Sequence, residues 1–253
     1  MMIYNERAEL ILQQLQLQST VKVGELSQQL QVSVDTIRRD LKTMEQNGLI
    51  KCVRGGACLP DSMISFSNFT GREIINSELK REASKKALEY IRSGDVIALN
   101  SGTTNTVLAQ ELVTLNEKFT VVTNNYAAVN ILMQNPSIHL IAVGGTVDSL
   151  ERSTYGSICE QEFGKYYPDI AFLSINAVNY HDEYTDFRLQ EISILQLLSK
   201  NAKKVIAVMD SSKLGKCSKK KALSIDQVDM ILMDDHISPE IREKYKKKGI
   251  TIL

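Results

Sequence analysis

Apolar residues fall along this chain in two rhythms, which change near residue 77. Before residue 57 they recur at helical spacing. Ala8, Ile11, Leu12 and Leu15 make one stripe, with Asn5 placed to cap the helix that carries it. Val21-Lys22-Val23 is a short strand-like run, and a second helix over Glu25–Leu30 carries Leu26 and Leu30. Gln31-Val32 is a turn, Ser33 is an N-cap, and a third helix runs from Val34 to Asn47, where Gly48 stops it. Leu49–Ala57 then reads as strand, glycine turn and return strand, a wing able to pair with Val21–Val23.

Residues 58–76 lose the rhythm; with Pro60, Asp61 and several serines they read as a linker. From 77 to 253 the apolar residues come in short solid runs: Val96–Asn100, Phe119–Thr123, Ile138–Val143, Ile170–Ile175, Lys204–Met209 and Met230–Met233. Each is too short for a buried helix and rich in Val and Ile, so each predicts a strand buried on both faces. Helix-period stretches separate them at Ser77–Arg92, Thr104–Leu115, Ala127–Gln134 and Gln190–Asn201. Alternation of this kind predicts an α/β domain with a mostly parallel sheet. The expected organisation is a helical domain at 1–57, a linker at 58–76 and a larger α/β domain at 77–253.

Charge adds little at the level of the whole chain, because Lys+Arg and Asp+Glu both number 30. Residues 1–57 hold seven basic and six acidic side chains, yet five of the seven lie between Arg38 and Arg54. On the third helix, Val34, Ile37, Leu41 and Met44 share an arc of roughly 80° that predicts the buried side. Asp35, Thr36, Arg39, Lys42, Thr43 and Gln46 face away, with Arg38 on the flank. A cationic, hydrogen-bonding outer face of this kind suits the major groove of double-stranded DNA. Ser33 and Thr36 sit at the helix N-terminus, which favours a phosphate, and Lys51 and Arg54 on the wing would flank the duplex.

The run Val32-Ser33-Val34-Asp35-Thr36-Ile37-Arg38-Arg39-Asp40-Leu41, with Glu25-Leu26 before it and Arg54-Gly55-Gly56-Ala57 after it, resembles the signature of DeoR-family bacterial regulators. The resemblance implies a winged helix-turn-helix and a DNA-binding role for Ser33, Thr36, Arg38, Arg39 and Lys42. Asp40 is expected to pair with a neighbouring cation and position it, since a carboxylate is repelled by DNA.

In the second zone, polar turns follow the expected strands: Ser101-Gly102-Thr103-Thr104-Asn105, Asn124-Asn125 after Thr123, Gly144-Gly145-Thr146, and Asp210-Ser211-Ser212-Lys213. In a parallel sheet such turns gather at the strands' carboxyl ends, where ligands bind. Amides at Gly102–Thr104, threonine hydroxyls and Lys213 suit a small anionic, hydroxyl-rich ligand. Ser101, Gly102, Thr103, Thr104, Thr123, Asn124, Gly144, Gly145 and Lys213 are therefore the candidate effector residues. These turns resemble the sensor domain of the same family, which is similar in fold to ribose-phosphate isomerase and glucosamine-phosphate deaminase. The resemblance implies a phosphorylated sugar or polyol as effector and a homo-oligomer, dimer or tetramer, on a two-fold operator. The implied function is a repressor of a sugar or polyol catabolism operon.

The chain departs from the family in two places. Asn100 stands where relatives commonly have Asp, which removes a candidate general base and weakens any enzymatic reading. Asn176-Ala177-Val178-Asn179 replaces a glycine-bearing loop, and its Cβ atoms restrict positive φ. Glu191 either lines the pocket or makes a surface ion pair. Two other functions stay open: a sugar-phosphate isomerase or deaminase with an accessory DNA-binding domain, and a winged helix used only for protein contacts. Cys52, Cys58, Cys159 and Cys217 have no CxxC spacing, and His139, His181 and His236 are scattered, so neither metal nor cofactor is expected. No run approaches a membrane span, and the expected location is the cytoplasm.

Overall fold

The computed structural model describes residues 2–17, 20–58 and 69–253, and the chain divides into two compact units, Met1–Ser77 and Glu78–Leu253. The first unit runs α1 (Tyr4–Leu17), β1 (Thr20–Lys22), α2 (Val23–Gln29), α3 (Val34–Gln46), β2 (Lys51–Val53), β3 (Gly56–Cys58) and α4 (Phe69–Ile74). Its core is the expected stripe of α1 (Ala8, Ile11, Leu12 and Leu15) packed on Leu26, Ile37, Leu41, Met44, Leu49 and Ile50. The return strand of the wing, β3, lies between β1 and β2 in an antiparallel sheet. Two bonds close the end of α3: Gly48 N donates to Glu45 O and Leu49 N to Met44 O, each at 2.9 Å.

Three local expectations change. Asn5 lies inside α1; the helix entry is held by Ile3 N donating to Glu6 Oε2 at 2.8 Å. Val34 is 38% exposed, because the buried stripe of α3 is Ile37, Asp40, Leu41 and Met44, and the first turn projects beyond the core. Within the stretch read as linker, residues 59–68 lie outside the described residues. Phe69–Ile74 is a short helix whose Phe69 is fully buried, and Ile74 and Ile75 pack on the core of the first unit.

The second unit continues with α5 (Ser77–Ala87), β4 (Val96–Leu99), α6 (Thr103–Leu112), β5 (Phe119–Thr123), α7 (Tyr126–Leu132) and β6 (Ile138–Ala142). Then come β7 (Thr146–Asp148), β8 (Ser153–Tyr155), α8 (Ser157–Phe163), β9 (Ile170–Leu173), β10 (Ala177–Asn179) and β11 (Glu183–Asp186). It closes with α9 (Ile192–Asn201), β12 (Lys204–Val208), β13 (Lys220–Leu223), β14 (Met230–Leu232) and α10 (Pro239–Lys246). The six apolar runs form one six-stranded sheet in the order β14-β12-β9-β4-β5-β6, with every pair parallel. Alternate residues feed two cores: Ala98, Val122, Ala171 and Leu173 on one face, Ile97, Leu99, Val121 and Phe172 on the other.

The chain lays β4, β5 and β6 outward in one direction, then places β9, β12 and β14 on the other side of β4. The strand order therefore reverses between β4 and β9, and the crevice outside the carboxyl ends of strands at such a reversal is where open α/β sheets hold ligands. Helix α6 follows β4, whereas β9 leads into the strands β10 and β11. A hairpin, β7–β8, and a small antiparallel sheet, β10-β11-β13, complete the unit. Asn176–Asn179 is mostly strand β10, with Ala177 and Val178 buried, so its side chains fill core where a turn was expected.

Candidate functional site

The outer face of α3 is assembled by its N-cap and one buried ion pair. Ser33 Oγ accepts from Thr36 N at 3.1 Å and lies 2.8 Å from Thr36 Oγ1, which fixes the first turn. On the inner side, Arg7 of α1 grips Asp40 through two bonds, Nε to Oδ2 at 2.6 Å and Nη2 to Oδ1 at 2.9 Å. The expected partner of Asp40 is thus a cation 33 positions away on another helix, and the pair holds α3 rotated with Arg39 and Lys42 outward. Arg38, Arg39, Lys42, Lys51 and Arg54 are all exposed. Arg38 pairs with Asp35 at 3.3 Å, whereas among the described residues Arg39 and Lys42 form no ion pair.

At the other site, the turn after β4 and the first turn of α6 sit at the crevice. Gly102 caps α6 at φ +131, and a Cβ there would lie 2.6 Å from Ser174 Oγ and 2.8 Å from Arg188 Nη1, so only glycine fits. The first amides of α6 have no partner within the helix and carry its positive dipole end. Lys213, after β12, donates to Thr104 Oγ1 at 3.3 Å and to Ile175 O at 3.2 Å. The turn after β5 joins in, because Asn124 Nδ2 donates to Thr154 O at 2.7 Å and to both Glu191 oxygens at 3.4 Å. Gly145 packs under β8, where a Cβ would meet Tyr155 O at 2.8 Å and Cys159 Cβ at 2.9 Å; Gly144 is open on that side.

Asn100 knits the floor. Its Oδ1 accepts from Ser174 N at 2.7 Å and from Asn105 Nδ2 at 3.0 Å, while its Nδ2 donates to Ser101 O at 3.0 Å and Ser174 O at 3.1 Å. Arg188 lies buried beside it. Nε and Nη2 hold Asp186 Oδ1 and Oδ2 at 3.0 and 2.7 Å, Nη2 also donates to Ser174 O at 2.8 Å, and Nη1 donates to Ser101 O at 2.8 Å and Ser101 Oγ at 3.3 Å. Burial alone would push Asp186 up; the Arg188 guanidinium overrides it and holds that carboxyl below its usual range.

Glu191 is the reverse case. Burial holds its carboxyl above the usual range, against the pull of Arg188 and of the Ser101 amide that donates to it at 2.9 Å. A raised pKa in the fold means that ionisation costs stability as pH climbs through it. Glu191→Gln, which removes the charge, is therefore expected to gain Tm relative to the parent as pH goes from 5 to 8. A difference that stays constant over that range would contradict the assignment.

These positions sort the candidates. Ser101, Gly102, Thr103, Thr104, Asn124 and Lys213 converge on the crevice. Thr123 does so only through its backbone, because its hydroxyl is spent donating to Leu99 O at 2.8 Å and accepting from Asn125 N at 3.0 Å. Glu191 is buried, not a surface partner. Sequence reasoning missed Arg188 and Ser174; the only signal was a charged pair two residues apart after a short polar run. Cys159 is buried with its thiol pushed up to about 12 by desolvation, which leaves it unreactive.

Comparison with known proteins agrees with this geometry. The model of the DeoR-like helix-turn-helix domain matches residues 7–63, and that of the DeoR C terminal sensor domain matches residues 75–235. The chain is similar to the transcriptional regulator GolR of Listeria innocua, at 30% identity over 98% of this chain and 97% of that one. It is similar to the transcriptional repressor GlcR of Bacillus subtilis, at 28% over 100% and 96%. It is also similar to the L-fucose operon activator of Haemophilus influenzae, at 27% over 95% and 96%. Among solved structures, ribose 5-phosphate isomerase A of Methanocaldococcus jannaschii aligns over 55% of each chain at TM-score 0.41 and 21% identity. A winged helix-turn-helix with an outward cationic helix, joined in one chain to the matching sensor domain, makes this protein a DNA-binding transcription regulator of the DeoR family.

Proposed function

We propose that this regulator represses a sugar or polyol catabolism operon and is relieved when a phosphorylated sugar or polyol binds the second unit. The observation that carries the effector reading is the meeting of Lys213 with Thr104 at the first turn of α6, at the carboxyl edge of a parallel sheet. A helix N-terminus, threonine hydroxyls and an ammonium together suit a phosphate monoester. The position following β4 is the amide Asn100 where relatives commonly have an acid, which weakens an enzymatic reading. The chain acts in this reading as a sensor and not as an isomerase.

For DNA, Arg39 stands at the centre of the outward face, with Ser33, Thr36, Arg38 and Lys42 around it and Lys51 and Arg54 on the wing. A two-fold operator suits a homo-oligomer, dimer or tetramer, that presents two such helices. Among the described residues no helix is long and apolar enough to cross a membrane, which is compatible with work in the cytoplasm on DNA. Division of labour follows the sequence zones: DNA binding within 1–57, connection through 58–76, sensing in 77–253. Arg39→Ala is expected to cost on the order of 1–3 kcal/mol in operator affinity at fixed salt. Gel-shift titration that finds unchanged affinity would remove Arg39 from the interface.

A further inference from the structure

The second unit is neutral as a whole, with 22 basic and 22 acidic side chains over residues 78–253, but its charge is segregated. Residues 78–200 hold ten basic against fifteen acidic side chains, and residues 201–253 hold twelve against seven. The excess gathers in two stretches. Lys216, Lys219 and Lys220 lie on the loop into β13 and at its first residue. Lys244 and the three lysines at 246–248 lie at the end of α10 and just after it. All seven are exposed, and among the described residues none of them forms an ion pair. Their cationic neighbours are engaged, Lys221 by Glu183 and Arg242 by Asp235.

The fold brings both stretches to one surface. Gly215 N donates to Val178 O at 2.8 Å and Asn179 Nδ2 to Lys216 O at 2.9 Å, which fixes the loop against β10. Tyr180, directly after β10, meets the buried Tyr245 of α10 edge-on, with 5.4 Å between ring centroids, and Lys244 Nζ stands 5.0 Å from the Tyr180 ring centre. Past α10, a Cβ on Gly249 would lie 3.3 Å from Ile225 Cγ2, two residues beyond β13. The dipole of α10 favours Lys244 and Lys246 in its last turn, but it gives no reason for the other five lysines. Seven unpaired like charges on one surface repel one another, and a partner of opposite charge relieves that repulsion.

The chemistry of the surface narrows the partner. Lysines are point charges on flexible stems, which hold phosphates without reading bases. Tyr180, the ring beside Lys244, is covered by it and half-buried, so it offers no open platform on which the bases of a single strand could stack. We propose that this face of the second unit is a DNA-contacting surface separate from α3 and the wing, and that its lysines engage the phosphate backbone of duplex DNA. The effector reading is not needed for this and is not tested by it.

The test is the salt dependence of DNA binding by the full chain, read by fluorescence anisotropy from about 50 to 200 mM salt on the promoter duplex and on a duplex of scrambled sequence. Each phosphate contact adds roughly one unit to the slope of log affinity against log salt. Lys219→Gln with Lys220→Gln is expected to make the slope shallower by about two units, alike on both duplexes. Lys246→Gln, Lys247→Gln and Lys248→Gln together should make it shallower by about three. Arginine at the same positions should keep the parental slope, because the charge stays. Lys85→Gln with Lys118→Gln removes two exposed lysines on α5 and before β5 and should leave the slope parental. All the substituted side chains are exposed, so the variants should unfold at the parental Tm. A parental slope in either glutamine set overturns the proposal, as it would if the face served an acidic protein instead. An equal change in the Lys85 and Lys118 control overturns it too, since net charge alone would then be at work. A change confined to the promoter duplex also overturns it, because backbone contacts carry no sequence.

Discussion

Asp40→Ala should remove about 3–5 kcal/mol from the first unit, because it leaves the Arg7 guanidinium buried without its counter-charge. The pair is well shielded, with side-chain exposures of 11% and 7%. Small units have only ~5–15 kcal/mol in total, so the loss takes much of the stability of the DNA-binding unit. The effect should be local. Hydrogen exchange is expected to accelerate across α1 and α3 while the six-stranded sheet of the second unit keeps its protection. Operator binding should fall with it, although Asp40 touches no DNA. Arg7→Met combined with Asp40→Leu should recover most of the stability, since a packed apolar pair carries no desolvation cost. A loss below ~1 kcal/mol in the single variant would show that the pair does not hold α3.

Asp186→Ala should cost a similar ~3–5 kcal/mol, here in the sensor unit, by leaving the buried Arg188 without its counter-charge. The pair also predicts a pH signature. The folded-state pKa of Asp186 is depressed below the unfolded value of ~3.9, so its contribution is complete above about pH 5. It drains away as pH falls through the unfolded value toward the folded one. Urea unfolding at a series of pH values should therefore show parent and Asp186→Asn separated by a constant amount above about pH 5 and converging as pH falls below it. Curves that stay parallel down to about pH 3 would mean the carboxylate gains nothing from Arg188.

The sequence was most legible where burial is two-sided. Runs such as Val96–Leu99 and Lys204–Val208 have no polar face to blur them, and all six became strands of one sheet. Hairpin β7–β8 and strand β11 were invisible because Thr-Val-Asp and Glu-Tyr-Thr-Asp are too short and polar to show a period. On α3 the wheel located the outward cations, but it set Val34 in the core, since periodicity does not reveal where the neighbouring helices end. The crevice turns could be read from their glycines and hydroxyls. Arg188 could not, because the acceptors that tie it to the site belong to Ser174 and Ser101, 14 and 87 positions away, which no local pattern encodes. Asn100 looked like the loss of an acid; only the geometry shows it as a gain of donors.

The outward helix and the sensor crevice make one account only if occupancy of the second changes the work of the first. The direct measurement is fluorescence anisotropy of labelled DNA from the promoter beside this gene, titrated at fixed salt with and without phosphorylated sugars and polyols. At least one phosphate ester is expected to weaken DNA binding by about tenfold or more, a typical coupling free energy of about 1–3 kcal/mol. Lys213→Ala is expected to bind the DNA as the parent does but no longer to answer that ester. DNA affinity indifferent to every phosphate ester, or a full response in Lys213→Ala, would contradict that account.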